Sequence, residues 1–400
     1  MAPLLHEPPA DPLHGIRVWL SGALPEATGT NEAERASILD FVSRFSAMVF
    51  ARGGHVLHGA HPSLTPTLLA RAQAHQEAGG KRDCLTIAVS RHWSKDFEPG
   101  DIAAWQKICA VCETPETLGP DARDASLETL REFMAARCDA FVAVGGRWWQ
   151  PVAGRAGVPA ECSAAINRGV PCFLLGGLGG AARGYVRDHP EALRRLKNGL
   201  DDAANQRMAT EADVGTLAAQ ICEQLARLPI IRGRSADGPS FRILALDGGG
   251  IKGTFTASVL ATWEDHFRSP LVDHFDLIAG TSTGGILAVG LGAGLTAAEM
   301  LAFYRERGPV IFPITSLSRR FTYGIRRIFR PKYSQEVLLR ELETAYYKGN
   351  RGRIQLKDSR SRLVIPAYHA VAGISHVFRT PHHALLTSDG QGVVPSVVEI

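Results

Sequence analysis

Ser282 stands in Gly280-Thr281-Ser282-Thr283-Gly284, and Gly248-Gly249-Gly250 lies upstream of it, directly after Asp247. A serine placed between two such glycines can ride on a very sharp turn, which lifts its hydroxyl clear of a sheet edge as a nucleophile. Consecutive glycines let several backbone N–H groups face one point, and such a cluster can receive the negative charge that develops when a serine attacks an acyl carbonyl. Each motif alone has a plainer reading: Gly248 to Gly253 as a nucleotide-binding G-x-G-x-x-G, and Gly280 to Gly284 as a tight turn without chemistry. No acidic ribose ligand follows the first at the usual offset, since Asp265 falls inside the next helix and Asp273 in a loop. The two motifs in this order point to acyl transfer by a serine nucleophile with an oxyanion loop.

Both motifs must be held by strands that end where they begin. The apolar run Ile243 to Leu246 predicts a short buried strand stopping at Asp247, and the glycines then lead into a helix over Thr254 to Phe267. That helix start adds its partial positive charge to the loop. Phe275 to Ala279 predicts a second strand that runs straight into the serine turn, the strand–turn–helix setting the motif requires. Leu363 to Ala367 predicts a further apolar strand.

DGGGIKG followed by GTSTGG resembles the patatin-like phospholipase family. Lys332-Tyr333-Ser334 before a helix, the strand Leu363 to Ala367 and VFRTPHH from Val377 to His383 extend the likeness over about Phe241 to Ile400. The likeness is to bacterial patatins that act as effectors in antiphage defence. It implies hydrolysis of acyl esters in lipids by a Ser–Asp dyad, without a triad histidine, a metal or a cofactor. Ser282 is then the nucleophile, and the amides around Gly248, Gly249 and Gly250 hold the oxyanion. The family's aspartate sits in a D-G-G or D-G-A turn that would follow Val397-Val398-Glu399-Ile400, so an apparently truncated domain in a longer protein is expected. Asp389-Gly390, followed by glutamine, reads as an ordinary turn.

A chain of 400 residues with ordinary apolar and charged fractions suggests two domains. A formal net charge of +4 gives no reason to expect nucleic acid as a partner. No apolar run reaches the length of a membrane span, and the proline-rich stretch Met1 to Pro12 is unlike a signal peptide, so a cytosolic protein is expected. Seven cysteines without a compact framework fit reduced thiols. Cys109-Ala-Val-Cys112 has no second pair and reads as buried thiols before it reads as a zinc or redox site.

Before Leu228, apolar strands alternate with helices: strands at Ile16 to Leu20, His55 to Leu57, Leu85 to Val89, Ala140 to Val144 and Val170 to Leu175, and helices at Ala33 to Ala51, Leu127 to Arg137, Ala160 to Arg168 and Asp213 to Arg227. This pattern predicts a parallel sheet covered on both faces. Thr65 reads as an N-cap with Pro66 at the first helical position. Ser21-Gly22, Gly53-Gly54, Gly145-Gly146 and Gly176-Gly177 fall beside strand ends, where open α/β sheets take ligands and helix starts can hold phosphate.

This half resembles the SLOG family of Rossmann-like nucleotide sensors, in LSGA at Leu20 to Ala23, GGHVLHGAHPSLTP at Gly53 to Pro66, VGG at Val144 to Gly146, GVPAE at Gly157 to Glu161 and LLGGLGGAA at Leu174 to Ala182. The resemblance implies a small nucleotide signal as ligand, with Ser21, Gly22, Gly54, His55, Thr65, Gly146 and Glu161 lining its pocket. Glu161 could equally cap its own helix. His58 and His61 lack a third partner for a metal and read as loop histidines facing solvent or ligand.

The expected organisation is α/β: a tail over 1–14, a SLOG-like sensor over 15–228, a linker over 229–240 and a patatin-like domain over 241–400, the two domains each a three-layer α/β/α fold. Ser318 to Lys332 interleaves arginines with aromatics, without an acid, and reads either as a docking segment for anionic lipid or as a solvated face. The combined expectation is a homo-oligomeric phospholipase at the inner membrane, switched on by a nucleotide from an upstream cyclase or TIR-type enzyme. A constitutive lipid hydrolase with a nucleotide-processing N-terminal enzyme, and a non-catalytic nucleotide-binding scaffold, stand as alternatives.

Overall fold

A computed structural model describes residues 11–26, 31–94, 97–119, 121–147, 157–232, 234–235, 238–239, 241–267, 269–311, 335–346, 355–369 and 373–380. The chain forms two compact units, Met1–Gly233 and Arg234–Ile400.

The elements of the first unit are, in chain order, β1 (Arg17–Ala23), α1 (Glu32–Ala51), β2 (His55–His58), α2 (Thr65–Glu77), β3 (Leu85–Ser90), α3 (Arg91–Ser94), α4 (Asp101–Ile108), β4 (Ala110–Thr114), α5 (Ala122–Arg137), β5 (Ala140–Gly145), α6 (Gly157–Arg168), β6 (Cys172–Leu175), α7 (Gly180–Asp188), α8 (Asp202–Thr210) and α9 (Val214–Arg232). The six strands form one parallel sheet in the order β4-β3-β2-β1-β5-β6. Strand side chains alternate between two cores. Val18, Leu20, Val142 and Val144 join Phe41 and Phe45 of α1 on one face, while Trp19, Phe141 and Ala143 join Met134 of α5 and Cys162 of α6 on the other. Burial on both faces is why these strands read as continuous apolar runs. The strand order reverses between β1 and β5, so the crevice outside the carboxyl ends of these two strands is the sheet's switch point, where open α/β sheets place ligands.

Among the elements not legible in the sequence are β4 and α4. β4 is an edge strand with half-exposed residues, too weakly patterned to stand out, and the short helix α4 precedes it. Their presence settles the geometry of the C-x-x-C. Cys109 is buried and Cys112 half-buried along an extended chain, where residues three apart point to opposite faces and cannot share a metal. Burial also pushes the Cys109 thiol up to about 11. Helix α9 runs on to Arg232, so the expected linker from 229 begins inside a helix and the boundary falls later.

After a two-residue hairpin of β7 (Arg234–Ser235) and β8 (Gly238–Pro239), the second unit holds β9 (Ile243–Leu246), α10 (Gly253–Phe267), β10 (Leu277–Gly280), α11 (Thr283–Gly292), α12 (Ala297–Ile311), α13 (Gln335–Tyr346), β11 (Arg362–His369) and β12 (Ile374–Arg379). Its sheet order is β12-β11-β10-β9, with β9, β10 and β11 parallel and β12 antiparallel. The sheet is therefore mixed. Leu246 pairs with Gly280, so the strands carrying the two motifs are neighbours that end level with one another. No helix among the described residues is long and apolar enough to cross a membrane.

Candidate functional site

Thr281 and Ser282 lie between β10 and α11, and the Ser282 backbone has φ 52 and ψ −122. That conformation is sparsely populated for a residue with a β-carbon and costs about 1–3 kcal/mol. The side chain is exposed, as a nucleophile at a strand tip must be. Two glycines make the turn possible. A β-carbon on Gly280 would lie 2.3 Å from the Gly284 carbonyl oxygen, and one on Gly284 would lie 2.1 Å from the Leu246 carbonyl oxygen. No side chain fits at either position, so both glycines of G-x-S-x-G are explained by backbone passing over backbone. Thr281 donates its N–H to the Leu246 carbonyl at 3.3 Å and ties the turn to β9.

The glycine loop meets the serine. A β-carbon on Gly248 would lie 2.9 Å from the Ser282 β-carbon and 3.6 Å from its hydroxyl oxygen, so the start of the loop lies against Ser282. Gly250 has φ 59 and continues the loop into a single 3₁₀ turn, Gly250–Lys252, before α10. The N–H groups of Gly248 and Gly249 find no acceptor among the described residues. Donors at a loop facing an exposed serine can take an oxyanion. The Ser282 hydroxyl likewise has no partner among the described residues, and Asp389 lies outside them. So do Lys332, Tyr333, Ser334 and the basic segment Ser318 to Lys332. Ser269 and His274 form a buried hydrogen-bonded pair at 2.8 Å, but they precede β10 and sit at the opposite end of the sheet from Ser282.

In the first unit the structure brings together four of the seven expected pocket residues at the switch point. Ser21 and Gly22 close β1, Gly146 follows β5, and Glu161 on α6 accepts a hydrogen bond from the Ser21 hydroxyl at 2.5 Å. Gly22 is fixed by packing, since a β-carbon there would lie 2.7 Å from the Val144 carbonyl oxygen. Gly146 has φ 94, and its carbonyl accepts from Ala181 at 2.8 Å, which joins the end of β5 to the start of α7. Glu161 lies a full turn inside its helix, so it bridges to β1 and caps nothing. Arg131 on α5, nine-tenths buried, is the cation nearest in influence to Glu161. The sequence carried a signal for it: an arginine in the buried stripe with Leu130 and Met134.

Two of the other three are placed elsewhere. Gly54 and His55 precede or open β2, at the amino end of the sheet, where His55 is bonded to the Asp83 carbonyl and the Thr86 hydroxyl. They line a separate cavity of about 390 Å³ with Asp11, Arg17, His75 and Asp83. A residue ahead of a parallel strand lies at the end opposite the carboxyl edge, so they do not join Ser21 and Glu161. Thr65 is the first residue of α2 after the N-cap Leu64, and its buried hydroxyl donates to the His61 carbonyl at 2.9 Å. The capping role expected of it is therefore not used. His61 faces Ser63, whose hydroxyl also accepts from the Leu24 N–H, and burial with His58 and Arg147 nearby lowers His61 to about 4. The glycine run Gly176 to Gly180 is occupied by the chain itself: Arg183 binds the Gly176 and Gly177 carbonyls and pairs with Glu34, whose carboxylate lies over Gly179. No group of three metal-ligating side chains occurs among the described residues.

Burial raises the Glu161 carboxyl above its ordinary range, and the bond from Ser21 and the charge of Arg131 offset this only in part. A carboxyl with a raised folded-state pKa favours the fold most when protonated, so its contribution falls as pH rises through that pKa. Glu161→Gln keeps an acceptor for Ser21 and removes the charge. Thermal melts of the ligand-free protein are expected to show the variant a few degrees more stable at neutral pH, with the gain shrinking toward pH 4. An equal difference at both pH values would count against this account.

Residues 244–380 match the patatin-like phospholipase family, and residues 113–192 match SLOG cluster2. A cGAMP-activated phospholipase of Pseudomonas aeruginosa is 38% identical over 145 residues, which cover 36% of this chain and 41% of that protein. A cGAMP-activated phospholipase of Escherichia coli is 34% identical over 164 residues, covering 39% and 44%. A cUMP-AMP-activated phospholipase of Escherichia coli is 37% identical over 102 residues, covering 24% and 32%. The chain thus spans less than half the length of these relatives. The SLOG match precedes the patatin match in the chain, and Gly248 to Gly250 and Ser282 both fall inside the patatin match.

Proposed function

We propose that this protein is a patatin-like serine acyl hydrolase, switched on by a nucleotide signal, that cleaves membrane phospholipids in antiphage defence. The observation that carries the reading is the exposed Ser282 on its strained turn, with Gly248 packed against it. The Ser282 oxygen attacks the ester carbonyl carbon, the Gly248 to Gly250 amides receive the oxyanion, and collapse expels the alcohol to leave an acyl-enzyme that water hydrolyses. An aspartate outside the described residues takes the serine proton. The names of the relatives support activation by a cyclic dinucleotide. Ser21, Gly22, Gly146, Arg131 and Glu161 at the switch point are the residues we assign to that signal, made by an upstream cyclase or TIR-type enzyme. The enzyme would work from the cytoplasm as a homo-oligomer on the inner membrane surface.

The test is fatty-acid release from phosphatidylethanolamine–phosphatidylglycerol vesicles by the full-length protein, with cGAMP, with cUMP-AMP and with neither. Release that appears with one nucleotide only is the expected result, and light scattering on the same samples reads the assembly state. Equal release in all three would make it a constitutive hydrolase. No release under any condition, with nucleotide bound, would leave a scaffold.

A further inference from the structure

The nucleophile helix cannot fix its own position by directional contacts. α11 is apolar along its length and buried apart from the half-buried Ile286. Apolar contact is non-directional, so such a helix tolerates small rotations and axial shifts. Its one polar side chain, Thr283, has a buried hydroxyl with no partner among the described residues. Direction comes from other elements: at the far end of the helix Arg360 donates its N–H to the Gly292 carbonyl at 2.8 Å, and at the end that carries Ser282 two tyrosines on other helices do the same work. Tyr304 of α12 donates its hydroxyl to the Thr283 carbonyl at 2.9 Å, and Tyr346 of α13 donates to the Ile286 carbonyl at 2.8 Å. Each carbonyl has a second lone pair for its own helical bond. Burial pushes both phenols well above their ordinary range, so both remain protonated donors.

Tyr304 does more than brace one helix. A β-carbon on Gly253 would lie 3.0 and 3.1 Å from two carbons of the Tyr304 ring and 3.2 Å from the Thr283 β-carbon. Gly253 is the first residue of α10, directly after the 3₁₀ turn Gly250–Lys252 that ends the oxyanion loop, and Thr283 directly follows the nucleophile. The end of the donor loop and the residue after the attacking serine therefore meet on one aromatic ring.

The geometry points to Tyr304 as a positioning residue that sets Ser282 against the oxyanion loop, its hydroxyl holding the Thr283 carbonyl while its ring backs Gly253. Tyr346 holds the rotation of the same helix one turn further on. The inference rests on the hydrolase reading above. It places no part of Tyr304 in contact with substrate, so substrate binding is left intact when the hydroxyl is removed.

Tyr304→Phe keeps the ring and removes only the strut. In the full-length protein, with cGAMP and cUMP-AMP both added, a soluble short-chain p-nitrophenyl ester and a fluorophosphonate that labels the active serine give the readouts, with Ser282→Ala as control. Tyr304→Phe is expected to lower kcat and the labelling rate about tenfold or more while KM stays within about twofold. Replacing Tyr304 with p-aminophenylalanine, which retains a donor at the ring tip, is expected to restore most of the rate. Wild-type labelling and kcat in Tyr304→Phe, or a donor-bearing variant no better than Phe at equal melting temperature, would reduce Tyr304 to packing. Absence of Ser282-dependent labelling in the unaltered protein would overturn the hydrolase reading and this inference with it.

Discussion

Ser282→Ala is expected to reduce lipid acyl hydrolysis by a factor on the order of 10³ or more, because in the proposed mechanism the Ser282 oxygen forms the acyl bond. The fold should survive, since alanine keeps the β-carbon and with it the same backbone strain at φ 52 and ψ −122. Ser282→Gly separates the two roles of this position. It removes the nucleophile equally, but glycine occupies that backbone region freely, so relief of about 1–3 kcal/mol of strain is set against about 0.5–1 kcal/mol of added unfolded-state entropy. The glycine variant is therefore expected to be as inactive as the alanine variant and to melt higher, by a net ~1 kcal/mol. Activity measured as fatty-acid release, with melting followed by circular dichroism, checks both parts. Retained hydrolysis in Ser282→Ala would remove the mechanism, and a lower melting point in Ser282→Gly would remove the strained elbow.

Gly248→Ala should give the next largest loss, and for a different reason. The added β-carbon would start 2.9 Å from the Ser282 β-carbon and 3.0 Å from the Thr281 carbonyl oxygen, well inside the ~3.5–4.0 Å at which carbons normally rest. Both neighbours belong to the turn that carries the nucleophile, so relief requires the loop and the serine to move apart. Misplacement of about 1 Å between reacting groups costs ~10²-fold, and donors drawn back from the oxyanion act only in the transition state. The expected result is a kcat about 10²-fold lower with KM little changed. A variant within threefold of the parent would show that the Gly248 end of the loop does not set the reacting distance.

Much of the candidate site in the second unit was legible in the sequence where its constraints are local. Gly280 is forced by the Gly284 backbone within one turn, and Ile243 to Leu246 ends at Asp247 as its apolar run does, whereas Gly284 is forced by Leu246 on the neighbouring strand. The first unit was read less completely. Counting glycines near strand ends placed Gly54 and His55 with Ser21, although both stand at the start of β2, and chain order alone could have put them at the amino end. Thr65 was misread because its hydroxyl is drawn to His61, four residues back, in a loop whose shape depends on β1.

By itself the sequence determined the two chemical turns and the alternation that makes the first sheet parallel and doubly covered, because turns and periodicity depend on near neighbours along the chain. Only the tertiary structure decided that β9 and β10 lie side by side, that β1 and β5 flank the switch point, and that Arg131, Glu161 and Ser21 share it. It alone showed Tyr304 reaching both Gly253 and Thr283. Strand order and cross-helix hydrogen bonds join residues far apart in the chain, and no local pattern of residue types encodes which distant partner a buried hydroxyl will meet.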